Sequence, residues 1–311
     1  MDRRRLLQSL AALSCPALSS VARAASNRRP VAAPIPLTAA MAGLHETRTY
    51  PRDGGHTAWR VTVVTPPGLA PAAGWPVLYL LDGNAALQSL PQAWRDAAPG
   101  AALDSGVPVV MVTIGYDTGA RFEVDTRAWD YTPLPASARG KPIADPRAPR
   151  RLNGGADAFL AFLQRLHASL AARLPLDPAR RTLYGHSYGG LFVLHVLLSQ
   201  PDAFDRYVAA SPSLWWHAPE MLNRVAQAPT RSPGLTPAAL HVVVGGEERV
   251  RAHADAHAHS GHRTQGQTEL FMEALATRPD LRTSLRVVPG ASHGAMFAAS
   301  LPDALSAAIR P

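Results

Sequence analysis

The chain has 311 residues, of which 47% are hydrophobic and 17% are charged, and its formal net charge is +8. This length and apolar content allow one sizeable core and exclude a disordered or collagen-like chain, and the sequence has no run of about 18 apolar residues, which a multi-pass membrane protein requires. The charge comes from arginines scattered along the chain, which disfavours nucleic-acid binding and favours a small anionic ligand.

The N-terminus has the features of an export signal. Three arginines at positions 3–5 precede a weakly apolar stretch that ends in the small-residue segment 22–24, and the basic start also resembles a twin-arginine signal. We therefore predict an export signal over residues 1–24, a flexible entry segment over 25–44 and a single folded domain over 45–311. The mature protein is predicted to be periplasmic, with no membrane attachment after removal of the signal.

Short apolar runs alternate with helical patterns from about residue 45 onward. Segments 155–174 and 188–199 have helical spacing. Runs of strand length occupy residues 59–65, 77–81, 107–114, 182–184, 207–210, 240–244 and 285–288. This alternation predicts an α/β fold with a mostly parallel central sheet and helices on both faces. The irregular stretch 117–153 is too long for a connector and is predicted to be a cap or binding loop.

The segment Gly185-His186-Ser187-Tyr188-Gly189 lies between an apolar strand and an apolar helix. A serine in G-x-S-x-G occupies a sharp strand-to-helix turn that exposes its hydroxyl, and the glycines are expected because such a turn leaves little room for side chains. The pattern predicts Ser187 as the nucleophile of an α/β-hydrolase. His186 is not predicted to act as its base.

A serine nucleophile needs a base and, in most such enzymes, an acid that follow it in chain order. His293, in a loop after the last predicted strand, is the histidine in the expected place for the base. Glu248 and Glu247 follow the strand 240–244, and Glu248 is the preferred candidate to orient the imidazole. Both glutamates have the alternative of pairing with neighbouring arginines on the surface, which would leave a Ser–His dyad.

The oxyanion of an acyl-transfer intermediate requires two backbone donors. One is expected from the residue after the nucleophile, Tyr188, and the other from the loop after an early strand, where Asn84 lies. The backbone N–H groups of Asn84 and Tyr188 are therefore the predicted oxyanion hole. The neighbouring Asp82 is predicted to brace this loop.

Five segments together resemble the trilactone siderophore esterases, most closely the periplasmic ferric-enterobactin esterases of Gram-negative bacteria. These segments are YLLDGNAAL (79–87), RAWDYTP (127–133), GGADAFLAFL (154–163), LYGHSYGGLFVL (183–194) and SPSLWW (211–216). The motif GHSYGG alone indicates a serine hydrolase, and the DYTP and SPSLWW blocks narrow it to this branch. The resemblance spans roughly residues 45–300, whereas the segment 25–44 has no clear counterpart.

This resemblance implies hydrolysis of the ester bonds of a cyclic triserine-lactone catecholate siderophore, which would release its iron. It places the catalytic pair on Ser187 and His293 and implies no cofactor. Some members of the family work as dyads, which leaves the role of Glu248 open. Two other functions remain alternatives: a general carboxylesterase or acyltransferase of the same fold, and a siderophore-binding protein without catalysis.

A ferric tris-catecholate is a bulky aromatic trianion, so arginine and tryptophan side chains are suited to bind it. The candidates are Arg121, Arg127, Trp215 and Trp216. Burial beside the sheet is the alternative for the tryptophans. The alternative for the arginines is an ion pair with a nearby acid, namely Glu123, Asp125 or Asp130.

Four histidines lie close together in an alanine-rich stretch near residue 255, namely His253, His257, His259 and His262. Histidine is a common metal ligand, but no carboxylates are arranged with these residues, so a solvated loop is the preferred interpretation. The single cysteine, Cys15, lies in the leader and excludes a cysteine-based metal site. We predict no catalytic metal.

Overall fold

The computed structural model describes residues 44–52, 56–97, 108–248 and 264–310. The strands in these ranges are β1 (Leu44–Tyr50), β2 (Trp59–Thr65), β3 (Trp75–Leu81), β4 (Val110–Tyr116), β5 (Ile143–Asp145), β6 (Ala148–Asn153), β7 (Leu176–His186), β8 (Arg206–Ala210), β9 (Ala238–Gly245) and β10 (Leu281–Val288). The helices are α1 (Gly83–Ala97), α2 (Val124–Asp130), α3 (Ala156–Ala171), α4 (Tyr188–Ser199), α5 (Glu220–Val225), α6 (Thr264–Leu275), α7 (Met296–Ala299) and α8 (Leu301–Ile309).

Eight of the strands described here form one sheet in the order β1-β2-β4-β3-β7-β8-β9-β10. The pairs β1–β2 and β2–β4 are antiparallel, and every other pair in this sheet is parallel. The strands β5 and β6 form a separate antiparallel hairpin. The predicted mostly parallel sheet is therefore confirmed, with an antiparallel edge made by the first two strands.

The central strands alternate their side chains between two hydrophobic clusters, one on each face of the sheet. Along β3, Tyr79 and Leu81 enter the first cluster, and Leu78 and Leu80 enter the second. Helices α3, α4, α5 and α6 cover the first face, and α1, α7 and α8 cover the second. Strands buried on both faces must be apolar throughout, which explains the continuous apolar runs in the sequence.

The segment 117–153, predicted as a cap or binding loop, contains α2, a single 3₁₀ turn at Ala136–Ala138 and the β5–β6 hairpin. The predicted export signal and most of the predicted entry segment lie outside the described residues, as do the four clustered histidines. No helix in the described ranges is long and apolar enough to cross a lipid bilayer.

Candidate active site

The predicted site residues follow the carboxyl ends of parallel strands, which all lie at one edge of the sheet. Asn84 comes shortly after β3, Ser187 directly after β7, Glu248 after β9 and His293 after β10. Parallel strands present their carboxyl ends together, so residues far apart in sequence meet there. The topology therefore gathers the predicted site at one place.

Ser187 occupies the sharp turn between β7 and α4 with a positive φ of 60°, a conformation that costs energy for a residue with a side chain. A Cβ on Gly185 would lie 2.3 Å from the backbone oxygen of Gly189, and a Cβ on Gly190 would lie 2.9 Å from that of Ala210. At Gly189 a Cβ would meet only ordinary contacts, the nearest at 3.6 Å. The expected lack of room therefore applies to Gly185 and Gly190, and Gly189 has space.

His293 lies in the loop between β10 and α7, and its Nε2 atom is 3.0 Å from the hydroxyl oxygen of Ser187. Its Nδ1 atom is 2.9 Å from Oε2 of Glu248. A carboxylate accepts hydrogen bonds, so this contact places the ring proton on Nδ1 and leaves Nε2 as the acceptor for the serine hydroxyl. The structure thus brings the three predicted residues into one hydrogen-bonded chain.

The Glu248 carboxylate is fully buried and held on its second oxygen as well. Its Oε1 atom accepts from the hydroxyl of Ser211 at 2.5 Å and from the backbone N–H of Gly245 at 2.7 Å. Glu247, the other candidate, is exposed. The structure therefore places Glu248, and not Glu247, against His293.

Ser213 is a neighbour of the predicted nucleophile that the sequence did not single out. Its hydroxyl lies 3.3 Å from that of Ser187, and its backbone N–H donates to the Ser187 carbonyl at 3.2 Å. Ser213 lies in the SPSLWW block, which indicates the family but assigns no role to its serines. Ser213 offers the Ser187 hydroxyl a second partner besides His293.

The loop after β3 is braced by a buried ion pair, as predicted for Asp82. Arg127 donates from Nε to Oδ1 of Asp82 at 2.8 Å and from Nη2 to Oδ2 at 2.9 Å. The same Nη2 atom also donates to the backbone oxygen of His186 at 3.2 Å, so the arginine connects the β3 loop to the nucleophile turn.

Asn84 and Tyr188 both stand at helix starts, where backbone N–H groups have no partner within the helix. The side chain of Asn84 donates to the backbone oxygens of Tyr116, Thr118 and Ala120 and so holds the segment after β4. The oxyanion hole formed by the two backbone amides remains a prediction that these positions allow.

Two of the four predicted substrate-binding residues are engaged in the protein interior. Trp216 is fully buried, and its indole N–H donates to Oδ1 of Asn153 at 2.9 Å. The Arg127 side chain is only 12% exposed and is occupied by Asp82, which is not one of the nearby acids offered as alternatives. These placements correct the prediction for both residues, because Trp216 packs the core and Arg127 braces the site.

The other two, Arg121 and Trp215, lie near the surface. Arg121 is exposed, and its guanidinium carbon is 5.5 Å from the ring centroid of Phe122 and 6.0 Å from that of Phe297. Trp215 is half-buried, and the guanidinium of Arg147 covers its ring at 3.5 Å from the centroid. Arg147 was not predicted, because it lies in the stretch that looked irregular.

His186 lies next to His293, the predicted base, and the two ring centroids are 4.9 Å apart. Burial lowers the pKa of His186 well below its ordinary value of 6.5, and the neighbouring His293 and Arg127 act in the same direction. His186 is therefore a neutral imidazole. In the ranges that the structure covers, no group of three or more histidine, cysteine or acidic side chains is arranged to hold a metal ion.

Known proteins resemble this chain over most of its length. The sequence profile of the family described as "Putative esterase" matches residues 56–307. The ferri-bacillibactin esterase BesA of Bacillus subtilis is 34% identical over 192 residues, which are 59% of this chain and 60% of that protein, so the chain spans less than two thirds of its length. The apo-salmochelin esterase of Escherichia coli is 33% identical over 264 residues, 81% of this chain and 74% of that protein.

Among solved structures, the enterobactin hydrolase IroE in complex with DFP is similar with a TM-score of 0.65 and 28% identity, covering 86% of this chain and 96% of that chain. This likeness and the sheet topology confirm the α/β-hydrolase fold. The profile match extends over more than half of the chain, and the Escherichia coli relative is matched over about three quarters of its length. The chain therefore belongs to the family described as putative esterases.

Proposed function

We propose that this protein is a serine esterase that hydrolyses the ester bonds of a catecholate trilactone siderophore. The observation that carries the proposal is the chain of hydrogen bonds from Ser187 through His293 to Glu248, at 3.0 and 2.9 Å. A serine hydroxyl is a weak nucleophile until a base accepts its proton. The arrangement supplies that base in the correct tautomer, with a buried carboxylate behind it.

In the proposed reaction, the Ser187 oxygen attacks the ester carbonyl carbon while Nε2 of His293 takes its proton. The negative charge that develops on the carbonyl oxygen is bound by the backbone N–H groups of Asn84 and Tyr188. The Glu248 carboxylate stabilises the resulting imidazolium through Nδ1. Collapse of the intermediate breaks the bond to the alcohol oxygen, which receives the proton from His293.

Water completes the cycle. His293 takes a proton from a water molecule, whose oxygen attacks the acyl carbon bound to Ser187. The second intermediate collapses to the free acid, and the proton returns to the serine oxygen. The half-buried position of Ser187 leaves its hydroxyl within reach of both the ester and water.

The siderophore as substrate is supported by two observations. Relatives at 33–34% identity are named as esterases of ferri-bacillibactin and of apo-salmochelin. The exposed Arg121 lies 6.0 Å from the ring centroid of Phe297, and that ring is 5.8 Å from the ring of His186, the residue before Ser187. Arginine is suited to the anionic oxygens of a catecholate.

A general carboxylesterase or acyltransferase remains the second candidate, because the same triad serves many substrates. The two functions are separated by offering the protein ferric enterobactin, free enterobactin and a short-chain aryl ester, with products identified by mass spectrometry. The proposal expects ring-opened products from the siderophore with a higher kcat/KM than for the aryl ester. Preference for the aryl ester, with no siderophore product, would favour the general esterase.

The Ser187→Ala variant tests the nucleophile. We expect it to bind ferric siderophore and to lose turnover by several orders of magnitude. The matched control is Ser199→Ala, at the exposed end of the same helix α4. Parental turnover by Ser187→Ala would reject the mechanism, and binding without turnover by the unaltered protein would favour the non-catalytic alternative.

Export to the periplasm is part of the proposal and is supported by the basic, apolar and small-residue order of residues 1–24. Cell fractionation of a Gram-negative host that expresses the full chain tests it. Replacing the arginines at positions 3–5 with glutamine should retain the protein in the cytoplasm if they belong to an export signal.

A further inference from the structure

The β5–β6 hairpin is joined to the nucleophile turn through one buried carboxylate. Asp145, at the end of β5, accepts a hydrogen bond on Oδ2 from the hydroxyl of Tyr188 at 3.0 Å. Its Oδ1 atom accepts from the backbone N–H groups of Arg147 and Ala148, at 2.7 and 3.2 Å, and so sets the turn of the hairpin. Tyr188 directly follows the proposed nucleophile. The turn that carries Arg147 is therefore fixed relative to the reacting serine.

The Arg147 side chain is linked to Tyr188 by a second path, through Trp215. Its guanidinium carbon lies 3.5 Å from the ring centroid of Trp215, and the Trp215 centroid lies 5.7 Å from that of Tyr188. The backbone and the side chain of Arg147 are thus both held by groups that contact Tyr188. A stacked guanidinium has its flat face against the ring, and its N–H groups lie in the plane parallel to that ring.

We propose that Arg147, held on Trp215, is a specificity-determining residue that binds an anionic aromatic arm of the substrate beside Ser187. This inference rests on the proposed function and deepens it. Catecholate oxygens form a planar, negatively charged pair, and the in-plane N–H groups of guanidinium match such a pair. Trp215 acts by orienting Arg147, because the cation already covers its ring.

The position of Arg147 complements that of Arg121. Arg121 lies near Phe297, in the cluster on one face of the sheet, whereas Trp215 packs against the cluster on the other face. The two cations therefore stand on opposite sides of the nucleophile strand. A substrate with several anionic arms around one metal ion presents a charged group toward each of these sides.

The neighbouring arginine Arg151 is placed differently. Its Nε atom donates to Asp125 at 2.9 Å, and its Nη1 atom lies 3.8 Å from Asp145, so it is paired with acids of the protein. Arg147 is exposed and stacked on a ring at the site. The contact with Trp215, whose ring lies beside that of Tyr188, is what distinguishes Arg147 in this hairpin.

The test measures binding separately from turnover. Isothermal titration calorimetry is performed on Ser187→Ala and on Ser187→Ala/Arg147→Ala, with ferric enterobactin as the anionic ligand and ferric triacetylfusarinine C, a neutral trihydroxamate complex, as the uncharged one. We expect the added Arg147→Ala change to weaken binding of ferric enterobactin about tenfold and to leave the neutral complex within twofold. The matched control is Arg165→Ala in the same background, which removes an exposed arginine on α3.

A second variant, Arg147→Lys, keeps the charge and removes the planar group. It should recover only part of the lost affinity. Equal affinity of the two proteins for ferric enterobactin, equal weakening for both ligands, or no binding of ferric enterobactin by Ser187→Ala would overturn the inference. If binding depends on Arg147 but the unaltered protein forms no ester-cleavage product, the proposed function fails and the binding subsite stands.

Discussion

The side chain of His186 donates a hydrogen bond from Nε2 to the backbone oxygen of His293 at a distance of 2.9 Å. A carbonyl oxygen only accepts, so this contact places the ring proton of His186 on Nε2. His186 is the last residue of β7 and directly precedes Ser187. The bond therefore fastens the loop of the proposed base to the strand that carries the nucleophile.

Removing this donor should misplace the base without affecting substrate binding. We expect His186→Met to lower kcat about tenfold or more and to leave KM within twofold, because small displacements of a catalytic group are costly. His186→Gln places an amide N–H at a similar distance from the backbone and should recover most of the rate. Steady-state kinetics on both variants checks this, and equal rates for the two would show that the donor is not what matters.

The buried His186 also makes the folded protein sensitive to acid. Its pKa is well below 6.5 in the folded state because of burial, and it returns to about 6.5 on unfolding. Below about pH 6.5 the unfolded chain binds a proton that the folded chain does not bind, so the free energy of unfolding decreases as the pH falls. The loss is up to about 1.4 kcal/mol per pH unit for one such group.

Urea unfolding at pH 7.5 and 5.5 measures this effect. The unaltered protein should lose more free energy of unfolding between the two pH values than His186→Gln, whose side chain does not titrate. His56, His167 and His217 also have pKa values lowered by burial and contribute to both proteins equally. An identical loss in the variant would exclude His186 as a source of acid sensitivity.

Glu248 decides whether the protein works as a triad or as a dyad. Glu248→Gln keeps the size of the side chain but removes the charge that stabilises the imidazolium and the acceptor that fixes its tautomer. We expect kcat to fall by about 10²–10⁴-fold. Glu247→Gln, at the exposed neighbouring position, is the matched control and should leave kcat unchanged. A loss of less than threefold in Glu248→Gln would indicate a dyad of Ser187 and His293.

The nucleophile turn could be predicted because it depends on short-range features, whereas the candidate base was placed by chain order. The strand-to-helix turn at Ser187 requires glycine at 185, and His293 was located by chain order after the last strand. The sequence favoured Glu248 but left Glu247 as an alternative, because both residues follow the same strand. The geometry of the turn after β9, which points one carboxylate inward and leaves the other exposed, distinguishes them.

Contacts between residues that are far apart along the chain could not be predicted from the sequence. The acids offered as partners of Arg127 were those close to it along the chain, whereas its partner Asp82 lies 45 residues earlier. Arg147 was missed for a related reason, since the strands β5 and β6 are short and show no clear apolar alternation. Arg147 is positioned by its packing against Trp215, and no pattern of residues along the sequence indicates that contact.

Breaking the ion pair between Asp82 and Arg127 should lower the free energy of unfolding. Their side chains are 1% and 12% exposed, so removal of one partner leaves a charge with little access to water. We expect Asp82→Asn and Arg127→Met each to lower the free energy of unfolding by about 3–5 kcal/mol, and the double variant to lose clearly less than the sum. Urea denaturation of the three variants measures this coupling.

The pair between Arg60 and Asp117 is the matched surface control. Those side chains are 35% and 46% exposed, so Asp117→Asn should cost less than about 1 kcal/mol because water and salt replace the lost partner. The Arg127 guanidinium also donates to the backbone of His186, so Arg127→Met should lower kcat in addition to stability. If breaking the buried pair costs no more than breaking the exposed one, the loop after β3 is held by its backbone contacts, and the pair does not brace the proposed oxyanion hole.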